Sequence, residues 1–364
     1  MKALITGVLL SELEEFVLGR GLPKYRAKQI TDWLYKKRVT SFDAMTDLPN
    51  EFRAQLAEEF EFPPSEVVRV LGSKDTTQKF LFRLRDTNLI ESVLIPASPA
   101  LYGEASDRRT ICVSSQVGCA YGCRFCASGL DGWTRNLDAG EIVHQLIAVE
   151  QQSGEKIDNV VFMGMGEPLA NLKNLKRAIQ IINQPWGLEI GARHITVSTS
   201  GLAPQIRELA EEPTQFRLAL SLHGATDEVR SQIMPVNRKY PLQVLLEACD
   251  YYVAKKRRMM FEYILINGIN DSDEQAHALA KIARRLSAKI NLIPYNTVEG
   301  LEWSRPPRAR QERFQSILRD NGIVSTLRRE KGHDIAAACG QLRLQTKREA
   351  VGAENRAASA TVSS

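Results

Sequence analysis

Short apolar runs alternate with amphipathic helical stretches along the chain from about residue 110 onward. The runs are TICVSS, NVVFMGMG, HITVSTSG, FRLALSLHG, MMFEYILING and KINLIPYN. Helical stretches between them include 138–152, which opens with Asp138 and Glu141 in a capping-box arrangement, and 273–287. Strands that alternate with helices of about 10–15 residues predict βαβ units and a parallel sheet. Six such units are too few for a closed eight-stranded barrel, so we predict an α/β fold with an open, partial (β/α)6 barrel.

The rest of the chain flanks this barrel. Residues 1–62 predict helices, with a capping box of Ser11 and Glu14 and a strongly basic helix over about 23–38. The runs KFLFRL and LIESVLIP, joined by RDTN, predict a β-hairpin. The end of the chain is small and polar, which predicts disorder. We expect a helical accessory domain, a β-hairpin with a linker, the barrel and a disordered tail, over 1–70, 71–109, 110–345 and 346–364 respectively.

The charge and the amino-terminal segment bear on where the protein acts. A formal net charge of +5 and a pI near 8.8 fit a polyanionic partner, although many other proteins are equally basic. The apolar start of the chain leads into glutamates without a cleavage site for a signal peptide, and no run is long enough for a membrane span. We therefore expect a cytoplasmic protein with no membrane partner, in which clustered cysteines are metal ligands or catalytic thiols.

Three cysteines lie close together after the first predicted barrel strand. Cys119, Cys123 and Cys126 form a C-x3-C-x2-C pattern, with Phe125 just before the third cysteine. Structural zinc requires four ligands, and no fourth Cys or His follows at zinc-finger spacing. An iron–sulfur cubane held by three thiolates keeps one iron open for a substrate or cofactor. A disulfide within the loop, or zinc completed by a distant ligand, remains an alternative.

Polar groups follow several of the predicted strands. The segments are MGMGEPL at 163–169, STSG at 198–201, SLHG at 221–224 and PYN at 294–296. Gly164 and Gly166 would let a ligand approach the backbone, and Glu167 would accept hydrogen bonds from an ammonium group. Because the carboxyl ends of parallel strands meet at one edge of a barrel, we expect these segments to form one site. A strand-end glycine turn without a ligand is the alternative for 163–169.

At these residues the sequence resembles the radical S-adenosylmethionine (SAM) enzymes, whose signature is C-x3-C-x-aromatic-C. The resemblance implies a [4Fe-4S] cluster on Cys119, Cys123 and Cys126, with SAM chelating the open iron. One-electron reduction of SAM then releases a 5′-deoxyadenosyl radical, while the protein supplies placement and electrostatics. The residues expected to contact SAM are Gly166, Glu167, Ser198, Ser221, Leu222, His223 and Asn296.

Two further cysteines raise a separate possibility. Cys112 lies on the first predicted strand, and Cys339 follows the last apparent strand, GIVSTLRR. In an open barrel the ends of the first and last strands can both face the mouth of the cavity, so the two thiols could meet there. Two unrelated buried cysteines are the alternative, since free cysteines often behave as small apolar residues. Cys249, within LLEACDYYV, is predicted to lie in the core.

A narrower resemblance covers residues 10 to about 345. The segments that carry it are CVSSQVGC, GMGEPL, STSG, SLH, PYN, ACGQL, GLPKYRAKQITDWLYKK and LPNEFR. Together they resemble the RlmN/Cfr family of radical-SAM RNA methyltransferases. The resemblance implies two SAM molecules per turnover, a methyl group carried by Cys339, and release of the methylated RNA by Cys112 with formation of a disulfide. It also implies that Glu91 is the base that removes a proton from the target carbon.

The family resemblance implies methylation of carbon 2 of an adenosine in the peptidyl-transferase centre of 23S rRNA and of the adenosine 3′ of the anticodon in tRNAs. It further implies a monomer and a reducing electron donor such as flavodoxin. The basic amino-terminal helix and the runs at 254–260 and 305–310 are candidate phosphate contacts, or solvated surface. Methylation of carbon 8 of the same rRNA adenosine is the alternative within the family.

Two other classes of protein are alternatives to a radical-SAM RNA methyltransferase. A non-catalytic metal-containing RNA-binding protein would need neither an open iron nor two distant thiols. A methylthiotransferase should carry a second three-cysteine cluster, and the spacings of Cys112, Cys249 and Cys339 form none.

Overall fold

The computed structural model describes the greater part of the chain. The described residues are 2–64, 66–74, 76–96, 108–129, 132–213, 215–256, 259–296 and 301–328. Cys339 and the predicted tail at 346–364 lie outside these residues, and so does the end of the segment predicted as the barrel.

Fourteen strands occur in the described ranges. They are β1 (Ala3–Leu4), β2 (Phe60–Glu61), β3 (Val67–Gly72), β4 (Gln78–Arg83), β5 (Leu89–Pro96), β6 (Arg109–Cys112), β7 (Gln116–Gly118), β8 (Trp133–Asn136), β9 (Asn159–Phe162), β10 (Ile195–Thr199), β11 (Arg217–Ser221), β12 (Met259–Leu265), β13 (Lys289–Pro294) and β14 (Ser325–Leu327).

Ten α-helices occur in the same ranges. They are α1 (Leu10–Leu18), α2 (Tyr25–Thr31), α3 (Asn50–Glu59), α4 (Ala139–Ser153), α5 (Leu172–Asn183), α6 (Ala203–Ala210), α7 (Asp227–Ile233), α8 (Leu242–Lys256), α9 (Asp273–Arg285) and α10 (Arg308–Asp320). Within the described part of the chain, no helix combines the length and the apolar character that crossing a membrane requires.

One ten-stranded sheet organises the molecule, in the order β14-β13-β12-β11-β10-β9-β6-β5-β4-β3. The seven strands from β6 to β14 are parallel, and helices α4 to α10 connect them. This confirms the predicted open (β/α)6 barrel, with β14 as a seventh strand after the six strand–helix units. The carboxyl ends of these strands therefore share one edge, which is where barrels of alternating strands and helices place their active sites.

The predicted hairpin is part of the same sheet. Strands β4 and β5 pair antiparallel, and β5 pairs antiparallel with β6, the first barrel strand. A further strand, β3, pairs with β4 and spans the domain boundary expected at residue 70. The hairpin thus continues the barrel wall, and its inward side chains face the same cavity as those of β6.

The amino-terminal helices form as predicted, but α1 begins differently. The backbone N–H of Leu9 donates to the Glu12 carboxylate at 2.8 Å, and the helix starts at Leu10. The predicted capping box of Ser11 and Glu14 is therefore wrong, because Ser11 already lies in the first turn and has helical backbone geometry. Glu14 instead pairs with Lys24 at 2.9 Å. The basic helix comprises α2 and a π-helical continuation over Asp32–Lys36.

Helix α4 begins with the capping box that the sequence predicts. The Glu141 N–H donates to Asp138 Oδ1 at 2.9 Å, and the Asp138 N–H donates to Glu141 Oε2 at 3.0 Å. Each carboxylate satisfies a backbone donor that would otherwise lack a partner at the helix terminus. This fixes the start of the first barrel helix.

The amino-terminal segment packs directly against the first turn of α4. The Thr6 hydroxyl donates to the carbonyl oxygen of Gly140 at 3.0 Å. A Cβ atom on Gly7 would lie 2.5 Å from the backbone nitrogen of Gly140, so the two backbones touch with no side chain between them. Arg177 of α5 donates to the Gly7 carbonyl at 2.5 Å and forms an ion pair with Glu12. These contacts attach the helical segment to the barrel.

Gly7→Ala should therefore lower the free energy of unfolding by about 1–3 kcal/mol, because the added methyl group meets backbone that cannot rotate away. Gly72→Ala is the matched control, since a Cβ there meets nothing within 4 Å. The control should stay within about 0.5 kcal/mol of the parent chain in denaturant unfolding. Equal stability of the two variants would show that the contact with Gly140 is not tight.

Candidate active site

The three clustered cysteines occupy a loop between β7 and β8. The Cys119 N–H donates to the carbonyl oxygen of Gly132 at 2.9 Å, which closes the base of the loop. The Arg124 N–H donates to the carbonyl oxygen of Ile233 at 3.0 Å, which anchors the loop to the end of α7. The cysteine loop, defined as residues 119–126, is thus held from both sides while its thiols stay together.

The environment of the thiols suits ligands of a positively charged group. Burial raises the pKa of Cys119 to about 12, and burial followed by the neighbouring Cys126 and Cys119 raises the pKa of Cys123 well above its usual value. The thiols are therefore protonated without a metal, and they lie close enough for their charges to repel. Bound iron would favour the thiolate forms and offset this repulsion, so the donor set fits an iron–sulfur cluster.

A disulfide and a zinc ion are the two alternatives for the cysteine loop. No disulfide joins Cys119, Cys123 and Cys126 in the structure, so the disulfide alternative is wrong. Across the described ranges, no three His, Cys, Asp or Glu side chains converge as ligands of one ion. A cubane does not require such convergence, because each thiolate binds a different iron.

The segment at 163–169 packs against the start of the cysteine loop. A Cβ atom on Gly164 would lie 2.5 Å from the carbonyl oxygen of Val113, and one on Gly166 would lie 2.5 Å from the Gln116 side chain. Gly166 also has a φ of 99°, which disfavours any other residue. Each glycine therefore makes room for the protein's own backbone or side chains, and the approach of a ligand to this backbone stays a prediction.

Glu167 is buried and hydrogen-bonded to two strand ends. One carboxylate oxygen accepts from the Leu169 N–H at 3.0 Å, and the other accepts from the Ser200 N–H at 2.7 Å. Burial raises the pKa of Glu167, and the hydrogen bonds from Ser200 and Leu169 act in the opposite direction. The carboxylate therefore joins the segment after β9 to the end of β10, where Thr199 also hydrogen-bonds to it.

The serines predicted from STSG and SLHG meet across neighbouring strands. The hydroxyl oxygens of Ser198 and Ser221 lie 3.4 Å apart, at the ends of β10 and β11. Leu222 is fully buried, and its N–H donates to the carbonyl oxygen of Glu262 at 3.1 Å. The hydroxyl pair is suited to bind a ligand hydroxyl or carboxylate, whereas Leu222 supplies apolar packing and backbone hydrogen bonds.

His223 holds the aromatic residue of the cysteine loop. Its ring meets the Phe125 ring edge-on, with the centroids 4.7 Å apart. Its Nδ1 accepts from the Ile264 N–H at 3.1 Å, so the ring proton is on Nε2. Burial, with a smaller effect of Arg230, lowers the pKa of His223 to about 3, which keeps the ring neutral. With a φ of 56°, the backbone of His223 is held in a left-handed turn after β11.

A cavity opens beside the cysteine loop. It has a volume of about 380 Å³ and is lined by Gly122, Cys123, Arg124, Gly129 and the segment 301–303. Asn296 precedes that segment, and its side-chain oxygen accepts from Arg305 at 2.5 Å. Residues 301–303 thus form one wall of a space that Cys123 also lines.

Cys112 and Glu91 share one face of the sheet. Cys112 on β6 pairs with Val93 on β5, and side chains two residues apart on a strand point to the same face, so Glu91 lies on the face of Cys112. The intervening Ser92 donates to Gln145 of α4 at 2.8 Å, which identifies the opposite face as the helix side. Cys112 and Glu91 therefore face the inside of the barrel. Cys339, the predicted partner of Cys112, lies outside the described residues.

Two buried cations in this region were not anticipated from the sequence. The Lys79 ammonium lies 3.0 Å from the Glu91 carboxylate, and both side chains are almost completely buried, at 0% and 2% exposure. Arg230 of α7 is also fully buried. Lys79 directly precedes the apolar run FLF of β4, and this neighbourhood could have indicated a buried lysine. The polar helix DEVRSQI has no pattern that marks Arg230 as buried.

The predicted phosphate-binding runs are largely engaged within the protein. Arg305, Arg308 and Arg310 contact Asn296, Glu312 and Asp273, respectively. Lys255 pairs with Glu211 at 2.6 Å, while residues 257–258 lie outside the described part. Cys249 is buried in α8, as predicted for a core residue.

Comparison with protein families gives matches to two separate parts of the chain. The model of the radical SAM superfamily matches residues 113–280, which include the cysteine loop and most of the barrel. The model of the ribosomal RNA large subunit methyltransferase N-terminal domain matches residues 5–62.

Whole-chain relatives agree with both matches. The chain is 53% identical over 354 residues to the probable dual-specificity RNA methyltransferase RlmN of Akkermansia muciniphila, with 97% of this chain and 99% of the relative covered. It is 54% identical over 356 residues to the probable dual-specificity RNA methyltransferase RlmN 3 of Opitutus terrae, with 95% of each covered.

A crystal structure agrees as well. A radical SAM methyltransferase from Sphaerobacter thermophilus is 46% identical and superposes with a TM-score of 0.87 over 93% of this chain and 98% of that chain. Identity at this level over nearly the whole length of each relative, together with the same fold, shows that the chain belongs to the RlmN family of radical SAM RNA methyltransferases.

Proposed function

We propose that this chain methylates carbon 2 of adenosine in RNA, using Cys339 to carry the methyl group and Cys112 to release the product. The observation that carries the proposal is the inward-facing pair of Cys112 and Glu91 on one face of the barrel wall. A non-catalytic RNA-binding protein with a metal would have no use for a buried thiol and a buried carboxylate on that face.

The cofactors are those of the radical SAM superfamily, a [4Fe-4S] cluster and SAM. Cys119, Cys123 and Cys126 would hold the cluster, which supplies a 5′-deoxyadenosyl radical by one-electron cleavage of SAM. Glu167 and the hydroxyl pair of Ser198 and Ser221 would bind the polar groups of SAM. Gly166, Leu222, His223 and Asn296 would complete that site, mainly by shaping the backbone and packing around it.

The two distant thiols divide the work on the RNA. Carbon 2 of adenine is electron-poor and has no lone pair, so it cannot displace a methyl group from a sulfonium directly. In the proposed path the methyl group on Cys339 would lose a hydrogen atom to the 5′-deoxyadenosyl radical, and the resulting carbon radical would add to carbon 2. Loss of the ring proton to Glu91 and of one electron to the cluster would restore the aromatic ring. The Cys112 thiolate would then attack the sulfur of Cys339, forming a disulfide and breaking the bond from sulfur to the methylene carbon, which takes up a proton to become the methyl group.

The substrates proposed are an adenosine in the peptidyl-transferase centre of 23S rRNA and the adenosine 3′ of the anticodon in tRNAs. A base that is stacked in folded RNA must be extruded before a buried group such as Glu91 can reach it. We further propose a cytoplasmic monomer, reduced by a donor such as flavodoxin, and these points rest on family resemblance alone. Two SAM molecules would be used in each turnover.

Site occupancy gives the first test. Protein reconstituted without oxygen should bind about four irons per chain, and changing Cys119, Cys123 or Cys126 to Ala should abolish that binding. Cys249→Ala is the matched control, because Cys249 is a buried residue of α8 and not part of the cysteine loop, and it should retain the iron. Zinc in place of iron, with no cleavage of SAM after reduction, would contradict the enzyme reading.

The two distant thiols give the second test. Cys112→Ala should accumulate a protein–RNA conjugate, because the methyl carbon would stay bonded to both Cys339 and the base. The conjugate should resist reducing agents, since a thioether is not a disulfide. Mass spectrometry after nuclease digestion should find the adenosine-derived mass on the Cys339 peptide, and Cys339→Ala should give no conjugate.

The position of the methyl group is tested on the parent enzyme. Analysis of the methylated RNA should give 2-methyladenosine, whereas 8-methyladenosine would favour the alternative within the family.

The buried ion pair gives the third test. Lys79→Met removes the ammonium that lies 3.0 Å from the Glu91 carboxylate, so the carboxylate loses a contact that holds it in place. Methylation should fall at least tenfold in a folded variant with normal iron content, and Glu91→Gln should be inactive. Arg83→Met is the control, because its ion pair with Glu66 is on the surface, and it should keep the activity of the parent chain. Parent-level activity in folded Lys79→Met would show that the reaction does not need this ion pair.

A further inference from the structure

Arg230 is a buried cation whose hydrogen-bond acceptors are all neutral. Its side chain has no exposed surface, and the three guanidinium nitrogens donate to the Leu222 carbonyl at 3.1 Å, the Asn237 side chain at 2.9 Å and the Ser200 carbonyl at 2.5 Å. Among the described residues, no carboxylate forms an ion pair with it. An arginine in such a position is costly unless a negative charge lies nearby.

The packing of α7 holds Arg230 in place. A Cβ atom on Gly224 would lie 2.6 Å from the backbone nitrogen and Cα of Arg230, so the turn after β11 and the helix are in direct contact. Gly201, with a φ of 108°, leaves room for Nη2 in the same way, at 3.0 Å. The two strand-end segments that carry the proposed SAM residues therefore also enclose the guanidinium.

The cysteine loop lies against the same helix. The Arg124 N–H donates a hydrogen bond to the carbonyl oxygen of Ile233 at the end of α7. Phe125 packs on His223, the residue before Gly224. Burial lowers the pKa of Arg230 to about 10, and negative charge on Cys123 acts in the opposite direction, with smaller effects of Cys249 and Asp227. The group whose charge would most favour the protonated guanidinium is thus a proposed cluster ligand.

We infer that Arg230 is the counter-charge of the iron–sulfur cluster and raises its reduction potential. This rests on the proposed binding of the cluster by Cys119, Cys123 and Cys126. Three thiolates on a cubane give a net negative assembly, and reduction adds one more negative charge. A fixed cation therefore stabilises the reduced form more than the oxidised form. Because its nitrogens are already bonded to Leu222, Asn237 and Ser200, Arg230 acts through its charge and not as an iron ligand.

The test is a redox titration of the anaerobically loaded full chain, followed by the electron paramagnetic resonance of the reduced cluster, with SAM absent. Arg230→Gln removes the charge and keeps hydrogen-bonding capacity. At the midpoint potential of the parent protein it should show about a tenfold lower ratio of reduced to oxidised cluster, which is a midpoint about 59 mV more negative. Arg230→Lys keeps the charge and should stay within about twofold of the parent.

Iron content and circular dichroism are measured first for each variant. If Arg230→Gln binds too little iron to titrate, Arg230→Met replaces it, because it removes the same charge and keeps an unbranched side chain. An unchanged potential in a loaded Gln or Met variant would overturn the inference, as would a Lys variant shifted as far as Gln. Weaker SAM binding at an unchanged potential would assign Arg230 to SAM instead. A parent protein that binds no cluster would refute the proposed function itself.

Discussion

The site depends on one close contact between two chain segments, 113–116 and 164–167. The Gly164 N–H donates to the carbonyl oxygen of Val113 at 3.0 Å, and the Ser115 N–H donates to that of Met165 at 2.8 Å. The Gln116 side chain accepts from the Glu167 N–H at 2.8 Å and fills the space that a Cβ on Gly166 would need. These hydrogen bonds and the close contact at the two glycines hold the segments in one register. This fixes the start of the cysteine loop relative to Glu167, and Glu167 in turn bonds to the end of β10.

The buried ionic groups near the site differ in how their charge is stabilised. Glu91 has the ammonium of Lys79, and Glu167 has the backbone donors of Leu169 and Ser200. The hydrogen-bond acceptors of Arg230 are neutral, and negative charge on Cys123 of the cysteine loop has the largest effect in favour of its protonated form. A buried charge without a partner would be neutralised or would destabilise the fold, so these arrangements indicate where charged ligands and reacting groups are accommodated.

The sheet extension explains how the hairpin can take part in a barrel site. Strand β5 pairs with β6 in an antiparallel register that puts Val93 opposite Cys112, and β4 adds Lys79 opposite Val93. The side chains of three strands therefore line one continuous inner face. A hairpin attached only by a linker would have left Glu91 and Lys79 free to take any position relative to the barrel thiols.

The sequence by itself determined the local elements and the chemical identity of the cysteine loop. Periodicity was sufficient for the six barrel strands and for α4 with its capping box, because these patterns depend on neighbouring residues. The spacing of Cys119, Cys123 and Cys126 was sufficient to predict that one loop supplies three thiols, and the structure places all three in that loop. The start of α1 was misplaced because Leu9 and Ser11 are both compatible with a helix end, and packing of the helix decides between them.

Only the tertiary structure decided which distant groups meet. It paired Glu91 with Lys79, attached the ring of His223 to Phe125, and buried Arg230 beside the cysteine loop. It also showed that Gly164 and Gly166 are required by contacts within the protein. The physical reason is that hydrogen-bond register, backbone contact and burial depend on elements far apart in the chain, and the pattern of neighbouring residues contains no record of them.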